Sequence, residues 1–559
     1  MKKIYWFIVF ASVFLALYTG ALAEPFTLYF CNDNCACSSV EDLPTDAVSV
    51  YNRNGNRYLF LPAGWDPDHL RVFFTGASEI TLGNQTLRSG DPAAVIPGEK
   101  LTVRPGSKVG YTVQVMQSAF IPTIFVTTVS GNIDIIKRDK TTKESGFCVF
   151  TDARGNNEYS GSLTYVRTRG NASLVYPKQS FQIKLEKSAG LSGMTPDRKW
   201  ILLANYLDKS LIRNTIAFSV ARYAGVYSFV PGVQPVDMYL NHQYYGSFLL
   251  TEKCEIDANR LDIPDLEKIS EKLNDEPLEN YPTFGKRLFA VSARKGYQIP
   301  NNPEDITGGY LILANSRAYY AAEASGFGTQ RGQAFTFDQP KYASEEQAAY
   351  VQDVFQNIED ALFSETGTHP VTGKHWSELL DIDTFAHRYL QAEVLADFDG
   401  QKPYFYKSTD ADNPLVYCAP VWDQDNILGA NESFGQPSRF YICNASAPAN
   451  MWFPQAMKIP EFKQYVIQLY QEVYAPALKI LLGMETDPKG ILLSLDQYAE
   501  EIEASAKMDN VRWPIEANRP MNFNIKTGSN QASNIEYLRL YIDRRLVFLD
   551  KQWGSAPQD

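Results

Sequence analysis

"PLVYCAPVWDQDNILG", residues 414–429, sets an apolar run directly before two aspartates. The run predicts a buried strand, and Asp423 and Asp425 follow where that strand would end. A buried carboxylate is costly unless a cation or a basic side chain pairs with it. Oxygen ligands at a strand end suit Mg²⁺, Mn²⁺ or Ca²⁺. The stretch therefore predicts a metal site, and a turn whose acids meet arginine is the alternative interpretation.

A second acidic stretch, "EVLADFDGQKPYFYK", precedes it at residues 393–407. The helical pattern of the preceding residues stops at Asp397, Asp399 and Gly400. Two carboxylates at such a break can accept a proton or hold a cation. Because Asp-Gly is also a common turn, a helix-terminal turn without catalytic function is the alternative.

A basic turn lies earlier in the chain, in "RTRGNASLVYPKQSFQIKLEK", residues 167–187. Arg169 comes just before the Gly-Asn turn, and Lys178 and Lys184 follow it. Backbone N–H groups at such a turn can face an anion, and arginine and lysine supply the charge that phosphate oxygens need. The alternative is a hairpin with solvated basic residues.

Together the three stretches match the division of labour in phosphoryl transfer. The basic turn would hold phosphates, Asp399 would act as the base, and Asp423 would hold the metal. A hydrolase that uses Asp399 and Asp423 as a carboxylate pair is a weaker alternative. A binding protein without catalysis is a further one.

The whole chain has 559 residues and a net charge of −12, with a pI near 5.2. Its length suggests about two to four domains. The acidic balance argues against a general nucleic-acid binder, which needs a basic face. Residues 1–23 resemble a cleaved signal peptide, with a basic start, an apolar core and a small-x-small site before Glu24. We therefore expect a secreted or cell-surface protein, with no transmembrane segment after cleavage.

Seven cysteines occur, three of them in "CNDNCAC", residues 31–37. Export would permit disulfides. A metal at these thiols is the less favoured interpretation, because no partner pair at zinc spacing follows and only five histidines exist.

Strand patterns dominate early and helical patterns late, which predicts an α+β fold. Residues 24–118 predict a small all-β accessory domain, with a hairpin turn at "NRNGNR". From residue 119 onwards we predict a mixed lobe and a helical lobe. The strand patterns there include "RLFAVSA", residues 287–293, and residues 255–309 predict an insertion or long loop. The helical patterns run from residue 208 to Gly225, from 344 to 363, and from a capping box at Ser533 and Glu536 to 553.

Five stretches resemble, in order, the CotH (spore-coat protein H) kinases, a family of secreted or surface-associated atypical protein kinases. They are "RGNASLVYPKQSFQIKL", "WILLANYLDKSLIRNTIAF", "VDMYLNHQYYGSFLLTEK", "DFDGQKPYFYK" and "PVWDQDNILG". The resemblance covers about residues 119–553. It implies a two-lobed, distantly kinase-like fold that binds ATP with Mg²⁺ or Mn²⁺ and phosphorylates serine or threonine on a protein substrate.

The resemblance also assigns roles to residues of this chain. Asp399 matches the catalytic aspartate, Asp423 the metal-binding aspartate and Asp425 the second acid of the family's "WDxD" motif. The nucleotide-binding residues carried over are Arg169, Asn171, Lys178, Lys184 and Glu252. Lys184 is favoured over Lys178 as the main phosphate lysine, because it lies within an alternating strand pattern. Glu252 is given a lesser, nucleotide-side role.

One position departs from the family pattern. Many members have an asparagine a few residues after the catalytic aspartate, where this chain has Pro403. Proline offers no side-chain ligand, so Asp425 would have to substitute for the asparagine in holding metal. The alternative is a catalytically inactive pseudokinase that serves as an adhesion or scaffold protein.

Overall fold

The computed structural model describes residues 26–444, 451–514 and 528–554. Within them the chain is mixed α+β, with an all-β region before the first helix, and both predictions are confirmed. The predicted signal peptide, residues 1–23, lies outside the described residues. No helix in the described part of the chain is both long enough and apolar enough to cross a bilayer.

The strands have the following bounds: β1 Thr27–Asn32, β2 Val48–Ser49, β3 Tyr51–Arg53, β4 Asn56–Leu61, β5 Leu70–Thr75, β6 Ile80–Leu82, β7 Gln85–Leu87, β8 Pro92–Ala93, β9 Lys100–Pro105, β10 Tyr111–Gln117, β11 Thr123–Thr128, β12 Glu144–Thr151, β13 Asn157–Arg169, β14 Ser180–Ala189, β15 Asp197–Leu203, β16 Val233–Leu240, β17 Gln243–Glu252, β18 Thr283–Gly285, β19 Arg294–Tyr297, β20 Tyr310–Asn315, β21 Gly326–Gly328, β22 Ala334–Gln339, β23 Tyr404–Lys407 and β24 Val416–Tyr417. Strands β11 to β17 close into a barrel in the order β11-β12-β13-β14-β15-β17-β16.

The α-helices have the following bounds: α1 Ile133–Ile136, α2 Arg213–Ala224, α3 Leu266–Leu273, α4 Arg317–Tyr320, α5 Glu345–Leu362, α6 Ile382–Val394, α7 Trp452–Ala456, α8 Pro460–Leu469, α9 Ala475–Leu481, α10 Leu495–Arg512 and α11 Gln531–Trp553. A π-helical turn, Tyr470–Tyr474, joins α8 to α9.

The chain divides into two compact units. The first contains the chain up to Ile133 together with Phe147–Ser160 and Asp237–Gly246. Its strands include a four-stranded sheet, β2-β1-β5-β8, and a six-stranded sheet, β3-β4-β10-β9-β6-β7. The predicted hairpin turn is confirmed, because Asn54 and Gly55 both have positive φ between the paired strands β3 and β4.

The three clustered cysteines lie in this first unit. Cys35 and Cys37 form a disulfide, and the Cys31 sulfur lies 4.0 Å from that of Cys37. Burial, with a contribution from the charge of Asp46, raises the pKa of Cys31 to about 12. A disulfide is the outcome that export would permit for two of these cysteines.

The second unit contains Asp134–Gly146, Gly161–Val236 and the chain from Ser247 onwards. Its seven-stranded sheet has the order β18-β19-β21-β22-β20-β23-β24. Helix α5 packs on this sheet through Phe355, whose ring lies 4.8 Å from that of Phe335 and 5.7 Å from that of Phe405. Trp452 of α7 closes the same aromatic core, with its ring 5.6 Å from Phe405.

One prediction for the stretch before β20 is wrong, and of the two alternatives for residues 255–309 the long loop is excluded. "RLFAVSA", residues 287–293, forms no strand, and its apolar side chains Leu288 and Val291 are 76% and 54% exposed. Residues 255–309 are not a long loop throughout, since they contain α3, β18 and β19. Asp265 starts α3 by accepting a hydrogen bond from the backbone N–H of Lys268.

Two element boundaries also differ from expectation. Strand β24 ends at Tyr417, so the acids of the opening stretch lie in an irregular loop and do not follow a strand directly. The cap of the last helix lies three residues before the predicted one, because Asn530 forms the capping box with Ser533. The helix end predicted at Gly225 is confirmed, because this residue caps α2 in the left-handed conformation.

Candidate active site

The two acidic stretches lie side by side in the second unit. The N–H of Phe398 donates to the carbonyl of Asn426 at 3.2 Å, and the N–H of Leu428 donates to the carbonyl of Leu395 at 2.7 Å. These bonds join the loop after α6 to the loop after β24. They bring Asp397 and Asp399 beside Asp423 and Asp425 although the stretches are separate in sequence.

The start of α2 fixes the second loop from another side. Arg213 donates from Nε to the carbonyl of Ile427 at 3.0 Å and from Nη1 to Asp208 Oδ1 at 2.5 Å. Asn214 Oδ1 accepts from the backbone N–H of Gln424 at 3.2 Å. Because Asp208 and Arg213 are both buried, their pair anchors the loop that carries the aspartates.

Asp397 lies fully buried beneath this arrangement. It accepts hydrogen bonds from the Asp399 N–H at 3.0 Å and from Gln424 Nε2 at 3.1 Å, with Arg388 Nη2 3.6 Å away. Burial raises the pKa of Asp397 to about 6, against the lowering influence of Arg388. A Cβ at Gly400 would lie 2.9 Å from Asp397 Oδ2, so the turn requires glycine there.

Asp399 points into a less buried environment and binds a lysine. Lys402 Nζ donates to Asp399 Oδ1 at 2.7 Å, and it also lies over the ring of Tyr319 at 5.3 Å. Burial works against the charged ammonium, but the charge of Asp399 outweighs it and raises the pKa of Lys402. The pair keeps a carboxylate and an ammonium together beside the other acids.

Asp423 has a strained backbone, with φ at +59°, as expected of functional loops more than of ordinary turns. Its side chain reaches solvent, yet protein atoms surround it closely. This dehydration, followed by the charge of Asp399, raises the pKa of Asp423. Asp423 is therefore accessible to a ligand from solvent.

Asp425 is the most perturbed of the acids. Desolvation, followed by the charges of Asp423 and Asp399, raises the pKa of Asp425 well above its ordinary value. Asp425 in turn contributes to raising the pKa of Tyr176 to about 12, after the larger effect of burial. The loops therefore concentrate negative charge that the nearby basic groups do not fully neutralise.

Arg169, at the end of β13, faces these acids. Desolvation lowers the pKa of Arg169, and the charge of Asp423 opposes that lowering. Its guanidinium lies over the Trp422 ring at 5.4 Å. The structure thus brings together Arg169, Asp399, Asp423 and Asp425, four of the residues predicted from the sequence.

The chemistry of this group fits a hard divalent cation such as Mg²⁺. Its donors are carboxylate oxygens, whose pKa values are raised first by desolvation and then by the charges of neighbouring aspartates, and a cation would offset both effects. Among the described residues, the only three metal-binding side chains within 4.8 Å of one another are the cysteines of the first unit. Asp423 and Asp425 would therefore hold a cation together with substrate oxygens, as Mg²⁺ usually binds, and not within a closed protein cage.

Lys184 lies on β14 in a basic patch. It is paired across the sheet with Lys199, whose Nζ donates to Glu255 Oε2 at 2.6 Å. Desolvation, followed by the positive charges of Arg198 and Lys199, lowers the pKa of Lys184. A partly exposed lysine in a surplus of positive charge suits an anionic ligand.

Lys178 and Glu252 are instead bound within the protein. Lys178 is fully buried, donating to Asp509 Oδ1 at 2.6 Å and to the carbonyl of Ser247. Glu252 accepts from Arg260 Nη1 at 3.0 Å and from the backbone N–H of Gly232 at 2.7 Å. Internal pairs of this kind favour structural roles for both residues.

Asn171 is exposed on the turn after Arg169, where its Oδ1 accepts from Lys140 Nζ at 2.8 Å. It borders a cavity and makes no described contact with the acidic loops. Pro403, at the position of family departure, is buried before β23, and its carbonyl accepts from the Ala314 N–H at 3.0 Å.

Sequence reasoning missed two parts of the site. The pair of Lys402 and Asp399 could have been predicted, because a spacing of three residues lets a turn bring the two charges together. The pair of Asp208 and Arg213 lies in the conspicuous stretch "NYLDKSLIRN", but its contact with residue 427 has no local signal in sequence.

The C-terminal helix supports the acidic loops from behind. Tyr537 and Tyr541 pack directly against Gly429. A Cβ at this position would lie only 2.5–2.6 Å from their side-chain atoms, so glycine is required there. The Tyr537 hydroxyl donates to the Gly429 carbonyl at 3.0 Å. Arg545 donates to Glu393 Oε1 at 3.0 Å, and both are fully buried. Helix α11 therefore fixes both the end of α6 and the loop after Asp425.

Comparison with known proteins adds one finding. A family model described as CotH kinase protein matches residues 166–549, more than half of the chain. The matched range includes both acidic loops, Arg169 and most of α11. No curated protein matches the chain.

Proposed function

This chain belongs to the CotH kinase protein family, and from that membership we propose that it is a metal-dependent protein kinase with a two-lobed catalytic domain. It transfers the γ-phosphoryl group of ATP to a serine or threonine of an extracellular or surface protein. Residues 1–23 direct its export. The observation that carries the proposal is the convergence of Arg169, Asp399, Asp423 and Asp425 from three separate loops.

In this proposal each group has one role. Asp423 and Asp425 hold Mg²⁺ or Mn²⁺, which when bound neutralises charge on the phosphate oxygens. Arg169 binds phosphate oxygens beside them, and Lys184 contributes a second positive charge from β14. Lys178, Glu252 and Asn171 have no direct role at the phosphates, since other protein groups engage them.

Asp399 orients the acceptor hydroxyl and accepts its proton. The acceptor oxygen forms a bond to the γ-phosphorus as the bond to the departing ADP oxygen breaks, and the hydroxyl proton passes to Asp399. The adjacent ammonium of Lys402 donates to Asp399 Oδ1 at 2.7 Å and so fixes the position of this carboxyl group.

A second candidate function is a pseudokinase that binds ATP or a partner without turnover. Pro403 favours it, because proline supplies no metal ligand where many family members have asparagine. The bond between Lys402 and Asp399 also favours it, since it occupies the carboxylate. In that case the protein would act as a surface scaffold or adhesin.

The test is incubation of the purified protein with labelled ATP and Mg²⁺ or Mn²⁺, with calorimetry of MgATP binding in parallel. We expect Asp423→Asn to abolish both binding and phosphate transfer. Asp399→Asn should retain MgATP binding and lose transfer by about 10²–10⁴-fold. Asp353→Asn, on the exposed face of α5, is the matched control and should change neither.

Three results would count against this function. MgATP binding without any transfer by the parent protein supports the pseudokinase. Normal binding and transfer in Asp423→Asn would place the metal site elsewhere. Unfolding of both site variants would show that the acids are structural.

A further inference from the structure

A cavity of about 820 Å³ lies in the second unit and is separate from the acidic loops. Its size is within the range of about 300–1,000 Å³ that is typical of ligand sites. Its walls come largely from β18, β19 and the segment after α4, parts of the chain that the proposed phosphate transfer does not use.

The charges of this cavity differ from those of the whole chain. Four basic residues line it: Lys140, Arg287, Lys295 and Lys341. Two acidic residues also line it: Glu279 and Glu323. The lining therefore carries a net charge of +2, from four positive and two negative groups, in a chain whose net charge is −12. Such a local surplus attracts an anionic ligand.

The cavity also has features that suit a peptide. Tyr297 and Tyr342 meet edge to face at 5.1 Å, and Tyr319 is 40% exposed, so the walls offer aromatic surface. All three residues of β18 line the cavity, and β18 is the outermost strand of its sheet in the described part of the chain. An extended peptide can pair with such an edge through its backbone.

One contact and one neighbouring position in the sequence connect the cavity to the proposed site of transfer. Tyr319 lines the cavity, and its ring also contacts Lys402, which binds Asp399. Asn171 lines the cavity two residues after Arg169. A ligand in the cavity therefore lies close to Lys402 and so to the acceptor side of the acidic loops.

We propose that this cavity binds an acidic, extended segment of the protein substrate and thereby presents a nearby serine or threonine to Asp399. The inference rests on the proposed kinase function and adds the class of substrate to it. Glutamate or aspartate side chains of the substrate pair with Arg287 and Lys341, which are both exposed, while its backbone runs along β18.

The test measures peptide binding by fluorescence anisotropy without nucleotide, so that it does not depend on catalysis. The probes are a short labelled peptide with one serine flanked by glutamates, and the same peptide with lysines in their place. We expect the parent protein to prefer the acidic peptide by about tenfold or more, and to bind it more weakly as salt increases.

The variant for this test is the double charge reversal Arg287→Glu with Lys341→Glu. It should weaken binding of the acidic peptide by about tenfold or more, because two attractive charges become repulsive. Lys272→Glu, on the exposed end of α3 outside the cavity, is the control and should bind as the parent does. Affinity for MgATP should be unchanged in both.

The outcomes separate this inference from the kinase proposal. Binding of the acidic peptide with the expected charge dependence, but without phosphate transfer, supports the cavity and contradicts the kinase. Phosphate transfer without any preference for acidic peptides overturns the cavity proposal alone. If the double reversal weakens MgATP binding and not peptide binding, the cavity belongs to the nucleotide and the inference is wrong.

Discussion

Two groups of charges in the second unit differ both in burial and in pairing, since Arg545 and Glu393 are fully buried whereas Asp423 is exposed and Asp425 is half-buried. Arg545 of α11 and Glu393 bind each other, and the two carboxylate oxygens of Glu393 also accept the backbone N–H groups of residues 441–443. In the acidic loops, the charges of Asp423 and Asp399 contribute, after desolvation, to raising the pKa of Asp425. The first group pairs each charge with an opposite one, whereas the second sets carboxyl groups beside one another.

The difference separates structural charges from functional ones. A buried pair with all its hydrogen bonds made gives little net stability, but removing one partner is strongly destabilising. Carboxylates held together against their repulsion reduce stability in the free protein, and such perturbed groups are common at sites that bind or react. The comparison predicts opposite effects on stability for substitutions in the two groups.

The largest effect is expected for Arg545→Met, which leaves Glu393 buried without its cation. We expect a loss of about 4–5 kcal/mol in the free energy of unfolding, measured by urea denaturation. Arg539→Ala is the control on the same helix. Its partner Asp496 is 73% exposed, so its loss should cost less than about 1 kcal/mol. Equal effects of both would remove the distinction between the groups.

A smaller loss is expected for Lys178→Met, at about 3 kcal/mol of stability, because Asp509 keeps its hydrogen bond from the Ser247 N–H. Lys184→Met should instead leave the fold intact and weaken nucleotide binding by about 1.5–3 kcal/mol. Denaturation and nucleotide titration of both variants check this contrast. Loss of nucleotide affinity in folded Lys178→Met, with none in Lys184→Met, would reverse the assignment of the two lysines.

The third prediction concerns pH. The pKa of Asp397 is about 6 in the folded protein, above its ordinary value, mainly through burial. Between about pH 4 and pH 6 the folded state therefore binds more protons at this group than the unfolded state does. Stability contributed by this group is present at low pH and is lost as pH rises through 6, by about 1–3 kcal/mol.

Replacing Asp397 with asparagine removes this titration. Urea unfolding of the parent and of Asp397→Asn across this pH range should show that the variant loses less stability as pH rises. An Asp353→Asn variant should follow the parent. Identical pH profiles for Asp397→Asn and the parent would contradict this prediction. They would mean that the neighbours of Asp397 offset its cost of burial as fully as Arg545 offsets that of Glu393.

The smallest effect is expected for Asp425→Asn, which should raise stability in the presence of EDTA by about 1 kcal/mol, the scale of one pKa unit. The reason is that an amide avoids the desolvation of a carboxylate and also the repulsion from Asp423 and Asp399. The same variant should gain less stability than the parent when Mg²⁺ is added. Thermal unfolding with and without Mg²⁺ measures both changes. If Asp425→Asn is less stable than the parent, Asp425 has a structural role like that of Glu393.

The sequence predicted the parts of the fold that local patterns determine. The helix end at Gly225 and the hairpin at Asn54-Gly55 depend on glycine or asparagine at positive φ, which short-range signals reveal. "RLFAVSA" failed because its alternation does not face a core, and alternation alone cannot establish burial. Ser533 resembled a helix cap, but Asn530 three residues earlier took that position.

For the candidate site, the sequence predicted the acids but not their partners. Asp399, Asp423, Asp425 and Arg169 do come together, as the three stretches suggested. Lys178 was indistinguishable from Lys184 by residue type, and only the distant Asp509 shows that it is engaged inside the protein. Contacts between residues hundreds of positions apart leave no trace in a single sequence.

The bracing of the loop at Gly429 by Tyr537, 108 positions further along the chain, has a consequence for biosynthesis. A ribosome makes both acidic loops well before it makes α11. Until that helix emerges and docks, Glu393 lacks Arg545 and the loops lack their support. We therefore expect nascent or prematurely terminated chains to be inactive. The order of translation itself then delays the onset of function.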